Sequence, residues 1–119
     1  MRLRKTGWKE VREKDGKVTN SVIHTLTRFS ENEKQNIDQD MLLDMALRFN
    51  PEINCVGEMR SSEAYTAQES ARTGHTVLTT IHSNCCEATY SRMRTLCKRK
   101  YDMDDEVLMD LVTEAFPIV

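Results

Sequence analysis

The sequence predicts an α/β fold with a mostly parallel sheet and crossover helices. Two observations support this prediction. Short runs of β-branched and apolar residues alternate with longer segments in which apolar residues recur at helical spacing. Such alternation is typical of sheets whose parallel strands are joined by helices. With 119 residues, of which 39% are hydrophobic and 30% charged, the chain is expected to form one small domain.

The first predicted elements are a strand and a helix. Residues 18–28 (VTNSVIHTLTR) follow a turn at Asp15–Gly16 and are rich in β-branched residues, which favours a strand. Residues 38–50 have helical periodicity and stop at Asn50–Pro51, and Asp38 and Asp40 are expected to supply the N-terminal cap and negative charge. The residues expected on the inner face of this helix are Leu42, Met45, Ala46 and Phe49.

A strand–helix–strand unit occupies the middle of the chain. The predicted strands are residues 53–56 (INCV) and 76–81 (TVLTTI), and both are short and rich in strand-forming residues. The helix between them, residues 62–72, ends at Thr73–Gly74, where glycine is the expected stop. The side chains expected on its inner face suit close packing on a sheet: Ala64, Ala67, Gln68 and Ala71.

Two further helices are predicted over residues 85–99 and 104–115. Acidic residues at the start of the second suit the positive end of a helix, and Asp102 is a candidate cap. Residues 116–119 (FPIV) have the composition of a strand that begins there. The apolar stripes expected to face the core are Cys86, Tyr90, Met93 and Cys97 in the first helix, and Leu108, Leu111, Val112 and Ala115 in the second.

Charge, hydropathy and cysteine usage exclude several classes of protein. The net charge of −2 implies no general attraction to nucleic acid. No apolar run approaches the roughly 18 residues of a membrane span, and the N-terminus lacks the apolar stretch typical of a signal peptide, so a cytoplasmic location is expected. The four cysteines have no disulfide-framework spacing, which favours free thiols. Zinc bound by His82, Cys85 and Cys86 is a disfavoured alternative, because adjacent cysteines rarely chelate one tetrahedral ion well.

An acid and a histidine follow the two central strands. Parallel neighbours place their carboxyl ends at one edge of a sheet, where ligands bind in α/β folds, so Glu58 and His82 should meet there. His75 precedes its strand and should lie at the opposite edge. A carboxylate could orient an attacking water and a histidine could contact a terminal phosphate, while Arg28 and Arg60 could meet phosphate charge.

Each of these residues also has a structural interpretation. Glu58 could be an ordinary turn residue, and His82 could cap the helix that follows it. Arg60 could pair with Glu58 or Glu63, and Arg28 could be a surface arginine. A small α/β protein in which these residues follow the two strands only by coincidence is therefore an open alternative.

Residues 47–84 resemble the central block of type II/type IV secretion and pilus-assembly ATPases. These are hexameric members of the RecA-like P-loop class, and the similarity is strongest to the CpaF/TadA-type ATPases of tight-adherence (Flp) pili. The family's Walker B motif, G-E-x-R, reads VGEMR at residues 56–60. Its histidine box reads TGHTVLTTIHSN at residues 73–84. The resemblance runs over about residues 11–119, and residues 1–10 are unassigned.

The resemblance implies a role for each candidate site residue. Gly57 and Glu58 would serve Mg-ATP, with Glu58 as the Walker B glutamate that acts with magnesium and water. His82 would sense the γ-phosphate. Arg60 would be the arginine of the motif, and Arg28, in a segment that resembles the family's arginine-bearing strand, would complete the site or that of a neighbouring subunit. The implied partners are sister subunits of a homo-hexamer and an inner-membrane platform protein, which would hold the motor at the inner face of the membrane. No nucleic-acid partner is implied.

The departures from the family are as informative as the match. A P-loop reads G-x-x-x-x-G-K-[ST], and the glycines present, Gly7, Gly16, Gly57 and Gly74, form no such motif. The expectation is a partial RecA-like core without the P-loop strand–helix unit, unable to bind or hydrolyse ATP alone and with uncovered sheet edges. Either the chain is the C-terminal portion of a motor domain, or it is a catalytically degenerate module that packs on a full ATPase subunit.

Overall fold

The computed structural model describes residues 15–16 and 21–119, and in them it has a mixed α/β fold. A short 3₁₀ helix at Glu33–Gln35 precedes the regular elements. These are α1 (Gln39–Leu47), β1 (Ile53–Val56), α2 (Glu63–Arg72), β2 (Thr76–Thr79), α3 (Cys86–Cys97) and α4 (Asp105–Ala115). The predicted domain start at residue 11 and the unassigned residues 1–10 lie outside the described residues.

The two described strands form a parallel pair. Their register runs from Ile53 opposite Thr76 to Val56 opposite Thr79, and α2 is the crossover between them. The predicted strand–helix–strand unit is therefore confirmed, although β2 ends two residues earlier than expected. Gly74, with φ +101°, reverses the chain between α2 and β2 as predicted, because a residue with a Cβ is strained there.

The core lies between one face of this sheet and the helices. The small side chains of Ala64 and Ala67 are buried on α2, which contacts α1, β2, α3 and α4. Asn54, buried on β1, donates a hydrogen bond to the Ser70 hydroxyl 2.9 Å away, so its amide nitrogen keeps a partner. Large side chains of the core cluster come from α1, the β1–α2 loop, α3, α4 and the residue after α4: Leu43, Met59, Met93, Leu96, Leu108 and Phe116.

Of the two helix caps predicted from the sequence, that of α1 is confirmed and that of α4 is not. Asp38 caps α1 as predicted, since its carboxylate accepts a hydrogen bond from the backbone N–H of Met41 at 2.8 Å. The cap of α4 is Asp104, which accepts from the N–H of Glu106 at 2.9 Å. Asp102 is not the cap; its carboxylate lies 3.8 Å from the Lys98 ammonium. Two residues N-terminal to Asp104, it is too early in the chain to reach the first free N–H groups.

The predicted strand over residues 18–28 is wrong where it is described. Residues 21–30 contain no strand, and their one ladder contact is an antiparallel bridge between Arg28 and Ile37. A β-rich composition makes a strand only where another strand is aligned beside it, and no described strand lies there. The three large apolar side chains of this segment are exposed instead: Ile23, Leu26 and Phe29.

The buried faces of two helices are rotated relative to the prediction. On α1 the buried residues are Leu42 and Leu43, whereas Met45 is 43% exposed. Phe49, predicted to lie on the same helix, falls in the turn after α1 ends at Leu47 and is 58% exposed. On α3 Cys86 is exposed, and the buried residues are Thr89, Met93, Leu96 and Cys97. Apolar residues spaced three or four apart on these helices can be grouped into more than one apolar face, and packing against neighbouring helices determines which face is buried. The α4 face is confirmed, but residues 116–119 are not a strand.

None of the helices in the described part of the chain combines the length and the apolar character that crossing a membrane requires.

Candidate functional site

Glu58 and His82 meet at the carboxyl edge of the two strands. Glu58 follows β1 by two residues and His82 follows β2 by three, and the Nε2 atom of His82 lies 3.3 Å from Oε1 of Glu58. The Glu58 side chain is 22% exposed, whereas that of His82 is 92% exposed. An anchored carboxylate therefore faces an imidazole that is open to solvent.

Arg60 approaches the same carboxylate oxygen. Its Nε atom lies 3.2 Å from Oε1 of Glu58, so a guanidinium and an imidazole contact one carboxylate. Glu63 instead accepts hydrogen bonds from the backbone N–H groups of Arg60 and Ser61, at 2.5 and 2.9 Å. The structural interpretation of Arg60 as a partner of Glu58 thus agrees with the geometry, and Glu63 fixes the backbone at the start of α2.

The loop that carries Glu58 is held by three side chains from different parts of the fold. The Thr80 hydroxyl donates to the Gly57 carbonyl at 2.7 Å, the Gln39 amide to the Glu58 carbonyl at 3.0 Å, and the Arg99 guanidinium to the Arg60 carbonyl at 3.0 Å. The N–H of Met59 donates to the Thr80 carbonyl at 2.8 Å, and the Met59 side chain is buried. These contacts restrict the position of Glu58 from both the sheet and the helices.

In the described part of the chain, Arg28 makes no contact with Glu58. Its guanidinium donates to the Gln35 carbonyl at 3.2 Å, and its backbone pairs with Ile37. Its neighbours Thr27 and Phe29 nevertheless line an open cleft of about 300 Å³ that Arg60 also lines. Arg28 therefore lies on the segment that borders the site without contacting the carboxylate.

His75 lies at the opposite end of β2 from His82, as predicted. Both of its ring nitrogens are buried, and neither has a hydrogen-bond partner among the residues described here. A position at the amino end of the strand separates this ring from Glu58. The arrangement gives His75 no contact through which it could act on a group bound beside Glu58.

Sequence reasoning missed the residues that support the site. Gln39 and Arg99 belong to no sequence motif that would identify them as partners of the β1–α2 loop. Their hydrogen bonds to that loop join parts of the chain that are far apart in sequence. Arg92 was also missed; it lines a second cleft of about 330 Å³ together with His82, Ser83, Asn84 and Ala88. Its only sequence signal is that it follows His82 in the helix after β2.

Two metal ions were considered from the sequence, Zn²⁺ beside His82 and Mg²⁺ beside Glu58. Within residues 15–16 and 21–119 no group of three His, Cys, Asp or Glu side chains is placed to hold an ion, so the zinc site at His82, Cys85 and Cys86 is not supported. Mg²⁺ makes a smaller demand, since it keeps several waters and uses one or two carboxylates besides substrate phosphates. Glu58, whose side chain is 22% exposed at the carboxyl edge of the sheet, is a carboxylate of that kind.

Comparisons with known proteins agree on one family. Residues 10–114 match the family described as Type II/IV secretion system protein. The competence protein ComGA of Halalkalibacterium halodurans is 34% identical over 89 residues, which are 74% of this chain and 26% of that protein. A protein transport protein HofB homolog of Haemophilus influenzae is 35% identical over 79 residues, 66% of this chain and 17% of that protein.

A third relative extends the same pattern. The type IV pilus assembly ATPase PilB of Pseudomonas aeruginosa is 35% identical over 69 residues, which are 57% of this chain and 12% of that protein. The chain therefore spans about a quarter or less of the length of these curated relatives.

Proposed function

Because the chain belongs to the type II/IV secretion system protein family, we propose that it forms part of an ATP-hydrolysing motor for secretion or pilus assembly. The observation that carries the proposal is the 3.3 Å contact between Glu58 and His82 at the carboxyl edge of two parallel strands. That edge is where α/β sheets bind ligands. One relative is itself a type IV pilus assembly ATPase, which supports ATP as the fuel.

In this proposal Glu58 positions the attacking water and His82 contacts the phosphate that leaves. Mg-ATP, when bound, supplies the phosphoryl group and the charge that the site must stabilise. Glu58 suits its role because a carboxylate can accept a hydrogen bond from a water molecule, and because Gln39 and Thr80 hold the backbone carbonyls of Glu58 and Gly57. His82 suits its role because its ring is exposed and can reach a group beside Glu58. Arg60 holds the carboxylate in place and adds positive charge.

The phosphate cradle is proposed to come from a part of the motor outside this chain. The sequence contains no P-loop motif, so we infer that the chain alone neither binds nor hydrolyses ATP appreciably. Exposure of the outer sheet face supports this proposal, because parallel sheets are normally covered on both faces. Ile53 and Leu78 on that face are 41% and 44% exposed, which leaves room for another part of the motor to pack there.

The finer assignments rest on the motifs. VGEMR and TGHTVLTTIHSN support a CpaF/TadA-like motor of Flp pili. A homo-hexamer and a platform protein at the inner membrane are the proposed partners. Arg28 is exposed on a segment beside the site cleft, which suits a residue that acts across a boundary between subunits.

The test is a segment exchange in a complete motor. Residues 10–114 replace the matching segment of the Pseudomonas pilus assembly ATPase, and ATP hydrolysis is compared with that of the isolated chain. We expect turnover only in the chimera, and a loss of about 100-fold or more in kcat for Glu58→Gln. Glu114→Gln is the matched control, because Glu114 is exposed and pairs with Arg72 far along the chain from the site. An active chimera that Glu58→Gln leaves unchanged would contradict the proposal.

A second function is a catalytically silent module that packs on a full motor subunit. The observation that favours it is the exposed apolar surface formed by Met41 and Met45 on α1 and by Phe49 in the turn after it. This function predicts that the isolated chain binds a complete relative and changes the ATPase rate of that relative. The Glu58→Gln variant of the chain should change that rate by the same amount. The motor function predicts no such effect on a subunit that already has its own site.

A further inference from the structure

The cleft between the loop after β2 and α3 has the chemical character of an anion site. The described residues that line it are His82, Ser83, Asn84, Ala88 and Arg92, and its volume is about 330 Å³. None of these side chains is acidic, whereas an imidazole, a hydroxyl, an amide and a guanidinium can all donate hydrogen bonds to a bound group. The cleft is therefore suited to a small oxyanion rather than to a cation.

Arg92 supplies the positive charge of this cleft. It is exposed, and it has no carboxylate partner among the residues that the structure describes. Its neighbour on α3, Arg94, differs from it, because the Arg94 guanidinium lies 3.7 Å from the carboxylate of Asp105. Glu87, in the first turn of α3, is not part of the lining; its carboxylate accepts hydrogen bonds from its own N–H and from Cys85. The charge of Arg92 is thus available to a ligand.

His82 connects the cleft with the carboxylate of Glu58. Its Nε2 atom lies 3.3 Å from Oε1 of Glu58, and the same side chain lines the cleft, so one imidazole borders both places. A neutral imidazole has a single N–H to donate, and it cannot give that hydrogen to both a carboxylate and another anion. An anion bound beside Arg92 therefore competes with Glu58 for this ring.

We propose that Arg92 and His82 form a binding site for inorganic phosphate, which receives the phosphate released by hydrolysis at Glu58. The source of the phosphate rests on the proposed function, whereas the site itself does not. Phosphate suits the cleft because its oxygens can accept two parallel hydrogen bonds from a planar guanidinium and a third from the imidazole. While phosphate is bound, His82 is drawn away from Glu58, and the carboxylate keeps its contact with Arg60.

The site is tested on the chain itself with inorganic phosphate. NMR follows the His82 ring and the amides of residues 83–92 as phosphate is added, and chloride at the same ionic strength measures the effect of screening alone. We expect saturable shifts with phosphate only. Arg92→Gln should raise the dissociation constant at least about 3-fold, and Arg92→Lys should restore part of the affinity, because it keeps the charge but not the planar fork.

Arg48→Gln is the matched control for this titration. Arg48 is an exposed arginine directly after α1, in the turn that leads to the amino end of β1 and not to the edge that carries Glu58. Its loss should leave the affinity for phosphate unchanged. Equal shifts with phosphate and chloride, or the same affinity in Arg92→Gln and Arg48→Gln, would overturn the site.

The role of the site in hydrolysis is tested in the motor chimera, where added phosphate should inhibit ATP turnover. Arg92→Gln should raise the phosphate concentration needed for half inhibition at least about 3-fold, and Arg48→Gln should not. Inhibition that is the same in both variants would show that the released phosphate does not use the cleft. A chimera without ATP turnover would contradict the proposed function and with it the source of the phosphate, whereas the titration of the chain decides the site independently.

Discussion

At the scale of single residues, the position of Glu58 depends partly on Gln39, a side chain that lies outside both motifs. Its carboxylate contacts Arg60 and His82, while its own carbonyl accepts from Gln39 on α1. Topology alone predicts that Glu58 and His82 share an edge, because the strands are parallel neighbours. It does not predict the Gln39 contact, since that pairing depends on how α1 packs. The roles of Glu58 and His82 in catalysis stay predictions.

We predict that Gln39→Leu loosens this loop. The substitution removes a donor from a partly buried carbonyl, which should lower the free energy of unfolding by about 1 kcal/mol. It should also shift the NMR signals of the His82 ring, because the position of Glu58 changes. Urea unfolding and NMR measure the two effects. Gln35→Leu, at an exposed position, serves as the control, and an identical response of both variants would contradict the role given to Gln39.

At the scale of elements, the sequence predicted local structure better than packing. The two parallel strands, their crossover helix and the α4 face were predicted because short periodic segments and a glycine stop determine them locally. The strand over residues 18–28 was wrong in its described part, since a strand depends on a neighbour that composition does not show. The α1 and α3 stripes were misassigned because tertiary contacts select between adjacent helical faces.

A polar cluster joins α1, α2 and the segment after α3. The Lys100 ammonium lies 2.7 Å from Oδ2 of Asp40 and 2.8 Å from the Thr66 hydroxyl, which itself donates to Asp40. Burial opposes the charge on Lys100, but the hydrogen bond and charge of Asp40, together with the charge of Asp44, outweigh it and raise the Lys100 pKa. Because the folded-state pKa is raised, the cluster stabilises the fold fully below the ordinary pKa of 10.5 and loses this effect as pH rises through the folded value.

We predict that Lys100→Met lowers the free energy of unfolding by about 1–3 kcal/mol at neutral pH. The reason is that, among the described residues, it leaves the Asp40 charge with no cation and with the Thr66 hydrogen bond as its one side-chain partner. The difference from the unsubstituted chain should shrink above pH 10.5. Urea unfolding at pH 7 and in the alkaline range measures it. Lys34→Met controls for the loss of an exposed lysine, and a pH-independent difference would contradict the account.

At the scale of the whole molecule, several apolar surfaces have no cover among the described residues. They include the outer sheet face at Ile53 and Leu78, and the side of α1 that carries Met45 together with Phe49 in the turn after it. The sequence predicted uncovered surface because it lacks the P-loop unit, but the α1 side was expected to be core. A chain that forms part of a larger motor domain would expose such surfaces when isolated.

We predict that replacing Met45 and Phe49 with lysine reduces self-association of the isolated chain and changes its unfolding free energy by no more than about 0.5 kcal/mol. Both side chains are largely exposed, so little packing is lost. Leu108→Ala, at a fully buried position, should cost about 2–5 kcal/mol. Sedimentation velocity and urea unfolding measure the two properties. Unchanged association, or a loss of stability close to that of Leu108→Ala, would contradict this description of the surface.

The central claim is that Glu58 and His82 act as one unit, and a double-mutant cycle in the motor chimera tests it most directly. The kcat for ATP hydrolysis is measured for the chimera, Glu58→Gln, His82→Gln and the double variant. Each single substitution should lower kcat about 100-fold, and the double substitution should add little, because residues that act together lose their effect together. Multiplicative losses, or single variants with unchanged kcat, would show that the 3.3 Å contact has no part in catalysis.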